Sequence, residues 1–127
     1  MVPEGVSSAF LPLVLLVEDD ASLQRALTFS LELEGFRVEV CDSGEALLRR
    51  PAPLRPACLV VDQRLPGING LDALAILRRR RVVLPAILIT TQPGPDLRET
   101  AAALGVRILE KPLLGGQLSA AIHEAFA

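Results

Sequence analysis

Two short apolar runs that end on carboxylates constrain this chain more than any other feature. Leu13-Val14-Leu15-Leu16-Val17 leads straight into Glu18-Asp19-Asp20, and Cys58-Leu59-Val60-Val61 leads into Asp62. A run of this length, apolar at every position, suits a strand covered on both faces, as in a parallel sheet. A charge at its last position lies where the strand leaves the core. If the two strands are neighbours, three or four carboxylates converge on one crevice, and like charges held that close need a cation or a proton to coexist. Magnesium suits such a crevice, because it takes oxygen ligands and keeps several of its waters.

The rest of the chain alternates strand-like and helix-like patterns at short intervals. Leu23, Leu27 and Leu31 mark one face of a helix from about Ala21 to Glu34, which Gly35 ends. Phe36 to Val40 reads as an edge strand, with Arg37 and Glu39 interleaved among apolar residues. Ser43 caps a short helix through Arg50, and the prolines of Pro51 to Pro56 force a turn before the strand that ends at Asp62. A helix from Gly70 to Arg80, a strand over Pro85 to Ile89, a helix from Asp96 to Leu104, a strand over Val106 to Leu109 and a helix from Gly115 to Phe126 follow. Residues 1–12 read as an N-terminal extension and 13–127 as one domain of five βα units.

Such alternation with short connections calls for a parallel sheet with helices on both faces, a doubly wound three-layer sandwich. In the strand order 2-1-3-4-5 the chain reverses direction between strands 1 and 3, and ligands bind where it does so. Glu18, Asp19 and Asp62 meet there, while Asp20 serves to cap the first helix. Thr90 ends the fourth strand and Lys111 the fifth, on the same edge. A hydroxyl and an ammonium beside a carboxylate-bound cation are what a phosphoryl group on Asp62 needs. Lys111 precedes Pro112, and an X-Pro bond at a strand end can be cis.

Composition sets the limits. The net charge of -2 provides no general basic field for nucleic acid or an anionic membrane surface. No run approaches the ~20 apolar residues of a membrane span, and Met1 to Pro12 lacks the basic start and long apolar block of a signal peptide. Cys41 and Cys58 stand in strand-like surroundings without metal-ligand spacing, so they read as buried reduced thiols, in keeping with the cytoplasm. Arg78-Arg79-Arg80-Arg81 reads as the solvated C-terminal end of a helix, and His123 as a surface or interface residue.

The chain resembles the receiver domains of two-component response regulators, the CheY-like family. The resemblance rests on Glu18-Asp19, on Asp62-Gln63-Arg64-Leu65-Pro66-Gly67-Ile68-Asn69-Gly70, on Ile87-Leu88-Ile89-Thr90 and on Lys111-Pro112. It implies a flavodoxin-like fold and a phosphoacceptor, Asp62, that receives phosphate from a sensor histidine kinase or a histidine phosphotransfer protein. It further implies that Glu18, Asp19, Asp62 and the backbone carbonyl of Arg64 arrange Mg²⁺, and that Thr90 and Lys111 bind the phosphoryl oxygens. A receiver is not an enzyme in the ordinary sense; it assists its own phosphorylation and dephosphorylation. Its signal is a changed surface on helix 4, strand 5 and helix 5, read by a downstream target, an output domain or a second copy in a homodimer. The chain closes with its fifth helix, so the expectation is a free-standing receiver or the receiver of a longer regulator.

The sequence also departs from the family. Ile108 stands where many receivers place an aromatic, and Thr91 where many place a small residue. Arg64 and Gln92 occupy positions past which the hydrolytic water approaches, so both are expected to set the lifetime of the phosphate. Other readings fit less well. A haloacid-dehalogenase-like phosphatase expects a second aspartate where Arg64 stands, and a flavodoxin-like electron carrier expects a phosphate-cradling loop where Glu18-Asp19-Asp20 would repel the ligand. A degenerate receiver that acts by protein contact alone is the stronger rival.

Overall fold

The first strand, β1 (Leu13–Val17), forms the centre of the molecule because every one of its residues is buried. Its odd residues face one apolar cluster with Leu59, Leu74 and Leu88, and its even residues face another with Leu31, Phe36 and Ile122. Two cores, one on each side of the sheet, account for an apolar run without alternation. The structure is a computed structural model that describes residues 11–54 and 56–127. Most of the expected N-terminal extension, residues 1–10, lies outside the described residues.

From β1 the chain runs through α1 (Ala21–Leu33), β2 (Arg37–Cys41), α2 (Gly44–Arg49), β3 (Ala57–Asp62), α3 (Gly70–Arg79), β4 (Ala86–Thr90), α4 (Pro95–Ala103), β5 (Val106–Glu110) and α5 (Gln117–Phe126). The five strands are parallel, in the order β2-β1-β3-β4-β5. This is the doubly wound arrangement expected from the alternation. The register pairs Val17 with Val61, so Glu18 and Asp62 are the next residues on adjacent strands. On the far side Asp62 pairs with Ile89, and Thr90 pairs with Glu110, the residue before Lys111.

Local chemistry sets the helix ends. Asp20 caps α1 by accepting from the Leu23 amide at 2.9 Å, and Ser43 caps α2 from the Ala46 amide at 3.0 Å, both as expected. Asn69 does the same for α3, accepting from the Asp72 amide at 2.9 Å. The α1 helix stops one residue earlier than the sequence suggests, because Gly35 adopts φ 95° and the Phe36 amide turns back to the Leu31 carbonyl at 3.1 Å. The α5 helix begins at Gln117 and not at Gly115, since Gly115 takes φ 57°. Thr90 ends β4 as expected, β2 runs on to Cys41, one residue past the expected end, and β5 ends at Glu110, so that Lys111 is the residue after the strand.

The arginine run needs correction. Only Arg79, Arg80 and Arg81 are exposed; Arg78 is half-buried and donates to the carbonyls of Leu104 at 3.0 Å and Val82 at 2.9 Å. Burial lowers its pKa. Arg80 also reaches the Leu48 carbonyl, at 2.7 Å. The run therefore ties α3 to its neighbours where simple solvation was expected. His123 is exposed, as expected, with its ring 5.0 Å from that of Phe36. Both cysteines are free and buried, and burial pushes the Cys58 thiol up to about 12.

Candidate functional site

Four strand ends supply the site. Glu18 leaves β1 with its amide bonded to the Cys41 carbonyl at 3.0 Å, and it is 4% exposed, an unusual degree of burial for a glutamate. Its carboxylate accepts from the Asp20 amide at 3.1 Å, and its backbone carbonyl accepts from the Gln24 side-chain amide. Asp19, beside it, is exposed. Asp62 is the last residue of β3 and is buried, as is Thr90, the last residue of β4. Lys111 follows β5; its amide donates to the Thr90 carbonyl at 2.8 Å, and its peptide bond to Pro112 is cis.

These side chains converge. One ligand atom from each of Glu18, Asp19 and Asp62 lies within 4.8 Å of the others. The Lys111 ammonium stands 3.4 Å from Asp62 Oδ2, a long hydrogen bond, and 3.3 Å from Oδ1, without hydrogen-bond geometry. Asp62 Oδ1 is thus a buried oxygen with no hydrogen-bond donor among the described residues. Burial raises the Glu18 pKa above its ordinary value; the Asp20 amide opposes that, and the charge of Asp62 adds to it. An under-satisfied buried oxygen, a glutamate disfavoured in its ionised form and three converging acids form a donor set that fits a small hard cation.

Thr90 is held differently. Among the described residues its hydroxyl makes only a 3.5 Å bond, to the Thr91 carbonyl, so little competes for it. Arg64 and Gln92 are exposed, and Gln92 adopts φ 47°, a left-handed conformation uncommon for a residue with a side chain. Ile108 is half-buried and packs against the cluster that contains Leu88 and Ala101.

Two residues that shape the site carry no signal in the sequence. Gln24 looks like any polar residue of an amphipathic helix, yet it holds the Glu18 carbonyl. Gln63 accepts from the Leu71 amide at 2.8 Å through its side chain and from the Gly70 amide at 3.1 Å through its carbonyl, which folds the loop after Asp62 back on α3. Gly70 itself allows no Cβ, because one would overlap the Asp62 carbonyl. A separate cavity of about 120 Å³, lined by Leu15, Leu59, Leu77, Arg50 and Arg80, lies among α2, α3 and the prolines, and none of the site carboxylates lines it.

Comparison with known proteins gives the family. The family model of the response regulator receiver domain matches residues 14–123. The chain belongs to that family. The receiver is similar to the transcriptional regulatory protein FixJ of Bradyrhizobium diazoefficiens, 32% identical over 113 residues that cover 88% of this chain and 55% of FixJ. It is also similar to the C4-dicarboxylate transport transcriptional regulatory protein DctD of Pseudomonas aeruginosa, 34% identical over 113 residues that cover 88% of this chain and 24% of DctD. The chain spans about half the length of the FixJ and nodulation W proteins that it matches. Among solved structures, the response regulator StyR superposes with a TM-score of 0.83 at 30% identity, over 91% of this chain and 59% of that one. The non-phosphorylated HemR receiver domain of Leptospira biflexa gives 0.83 at 28% identity, over 91% of this chain and 94% of that one.

The fold, the family and the role as a receiver in two-component phosphorelay signalling are therefore those that the motifs imply. Receivers are generally not classical enzymes, and they generally bind Mg²⁺ at an acidic cluster such as the one formed here. Among the described residues no helix is long and apolar enough to cross a membrane.

Proposed function

We propose that Asp62 is the phosphoacceptor and that Glu18, Asp19, Asp62 and the backbone carbonyl of Arg64 hold the Mg²⁺ its phosphorylation requires. The observation that carries this reading is the buried Asp62 carboxylate, flanked by Lys111 at 3.3 Å and by two further acids. The cation, when bound, neutralises charge on the phosphoryl oxygens. A carboxylate oxygen of Asp62 forms the new P–O bond as the P–N bond to a phosphohistidine breaks, and the leaving imidazole takes up a proton. The donor is a sensor histidine kinase or a histidine phosphotransfer protein, and the receiver supplies the geometry for gain and loss of its own phosphate.

In this reading the Lys111 ammonium and the Thr90 hydroxyl turn toward the new phosphoryl oxygens. Both stand at strand ends on the α4-β5-α5 side, so their movement biases a pre-existing equilibrium between two packings of that surface. The matched relatives named as transcriptional regulators favour an output domain or downstream target as the reader, with a second copy of the receiver as a further partner, all in the cytoplasm. The domain itself makes no direct nucleic-acid contact.

Intact-mass measurement after incubation with Mg²⁺ and a small phosphodonor tests the assignment. The wild type should gain one phosphate, and chelation of the metal beforehand should prevent it. Asp62→Asn keeps the size but removes the nucleophilic charge, and should gain none. An Asn variant labelled like the wild type would show that another residue is the acceptor; a wild type that never labels would identify a receiver acting by contact alone.

A further inference from the structure

Arg64, Leu65, Pro66, Gly67 and Ile68 lie between Asp62 and α3, and the position of the Arg64 carbonyl depends on how this loop is held. Its two ends are fixed. The Gln63 amide donates to the Ile89 carbonyl at 2.9 Å, and the side chains of Gln63 and Asn69 each accept a hydrogen bond from the first turn of α3. Its middle is held by the neighbouring helix α2, distant in sequence. Glu45, in the first turn of α2, accepts from the Ile68 amide at 2.9 Å. The same carboxylate lies against Gly67, where φ is 74° and where an added Cβ would overlap it. One residue earlier, Gly44 leaves room for the Ile68 side chain. The two segments interlock.

Glu45 is not needed to cap α2. Ser43 already fills that role, and a capping box would place its acid at Ala46. The Ile68 amide holds the Glu45 carboxylate below its ordinary pKa, so the bond is made to the ionised group. We infer that Glu45 is a positioning residue for the cation: by clamping Gly67 and Ile68 it sets the Arg64 carbonyl toward the acids, and so sets the affinity for Mg²⁺. The inference rests on the Mg²⁺ site proposed above and adds a residue that neither touches the metal nor adjoins a ligand in sequence.

Titration calorimetry of the whole chain with Mg²⁺ alone tests this without any phosphodonor. Glu45→Ala should weaken binding by about tenfold, the lower end of what loss of a residue supporting a metal ligand costs. Glu45→Gln keeps an oxygen that can accept from Ile68 and should retain most of the affinity. Ser43→Ala, which weakens α2 but leaves the clamp, should bind as the wild type does. Wild-type affinity in Glu45→Ala would overturn the inference, and so would an equal loss in the Ala and Gln variants, which would mark a long-range charge effect. A loss in Ser43→Ala equal to that in Glu45→Ala would overturn it too, by showing that α2 stability alone matters. If Glu45→Ala does not fold, weak binding by a folded Glu45→Gln decides against the clamp, and wild-type binding by it supports the clamp. Failure of the wild type to bind Mg²⁺ would instead remove the underlying site.

Discussion

Addition of Mg²⁺ should stabilise this domain, and by more as the pH rises. The ligand atoms of Glu18, Asp19 and Asp62 lie within 4.8 Å of one another. At that separation two full charges repel by about 3 kcal/mol at an effective dielectric constant of 20. Lys111, 3.3 Å from Asp62, and the Asp20 amide, which donates to Glu18, offset only part of this. A metal that binds only the folded state at one hundred times its dissociation constant adds about 2.7 kcal/mol. For a domain of this size that corresponds to roughly 10 °C in Tm. The Glu18 pKa is raised in the folded state, so over the interval above its ordinary value of 4.5 the folded protein holds a proton that the unfolded chain has lost. Stability without metal therefore falls as pH rises through that interval, and Mg²⁺, which needs the ionised acids, reverses the fall. Thermal unfolding at several pH values, with Mg²⁺ and with chelator, reads the effect directly. A Tm gain that is independent of pH across that interval, or one that survives undiminished in Asp62→Asn, would refute the reasoning.

Three further outcomes follow from particular residues. Lys111→Ala and Thr90→Ala, with Mg²⁺ present, should each change stability by no more than about 1 kcal/mol, because the Thr90 hydroxyl makes one long bond among the described residues and Lys111 lies at the solvent edge; denaturant unfolding checks this, and loss of folding would mark them as structural residues. Replacement of Arg64 and Gln92 together by alanine should shorten the phosphate lifetime roughly tenfold, about 1.4 kcal/mol of barrier, as two long exposed side chains cease to obstruct the attacking water; phosphate loss after removal of the donor measures it, and an unchanged half-life would count against the assignment. Arg81 sits at φ 63° just past the end of α3, where α1 and α4 use Gly35 and Gly105. Arg81→Gly removes a left-handed strain of about 1–2 kcal/mol and adds about 0.4–1 kcal/mol of unfolded-chain freedom, so a net gain of about 0.5–1 kcal/mol should appear in thermal unfolding.

The sheet was legible because its signal is local and redundant. Apolar runs such as 13–17 and 58–61 need burial on both faces, and the short connections leave few topologies. The gathering of Glu18, Asp62, Thr90 and Lys111 on one edge was legible for the same reason: each is the last residue of a strand or the next one along. What the sequence hid depends on distant partners. Glu45 meets Ile68 across 23 positions, and Arg78 meets Leu104 across 26, with nothing in either local pattern to mark the pair. Gln24 and Gln63 act through side-chain amides on backbone groups, a role that any polar residue at those positions could seem to fill. Helix ends shifted by a residue or two where glycines at positive φ, such as Gly115, decided the geometry.

Ile108 bears on how a signal could leave this site. A planar ring can turn between an inward and an outward state, whereas a branched aliphatic side chain packed against the cluster that contains Leu88 and Ala101 has few alternatives. In the proposed mechanism the route then runs through the strand. Lys111 is joined to Thr90 by a 2.8 Å backbone bond, so movement of either residue toward a phosphoryl group carries the ends of β4 and β5 together. Glu110, the residue before Lys111, is tied to Arg98 of α4 by a half-exposed 2.8 Å ion pair of a kind that contributes at most about 1 kcal/mol. Leu97 and Leu104, on and just after α4, pack against the same cluster as Ile108. Weak polar ties over a shared apolar contact let α4 shift against β5 at small cost, and a differential interaction of a few kcal/mol at the phosphoryl group is enough to invert such a balance.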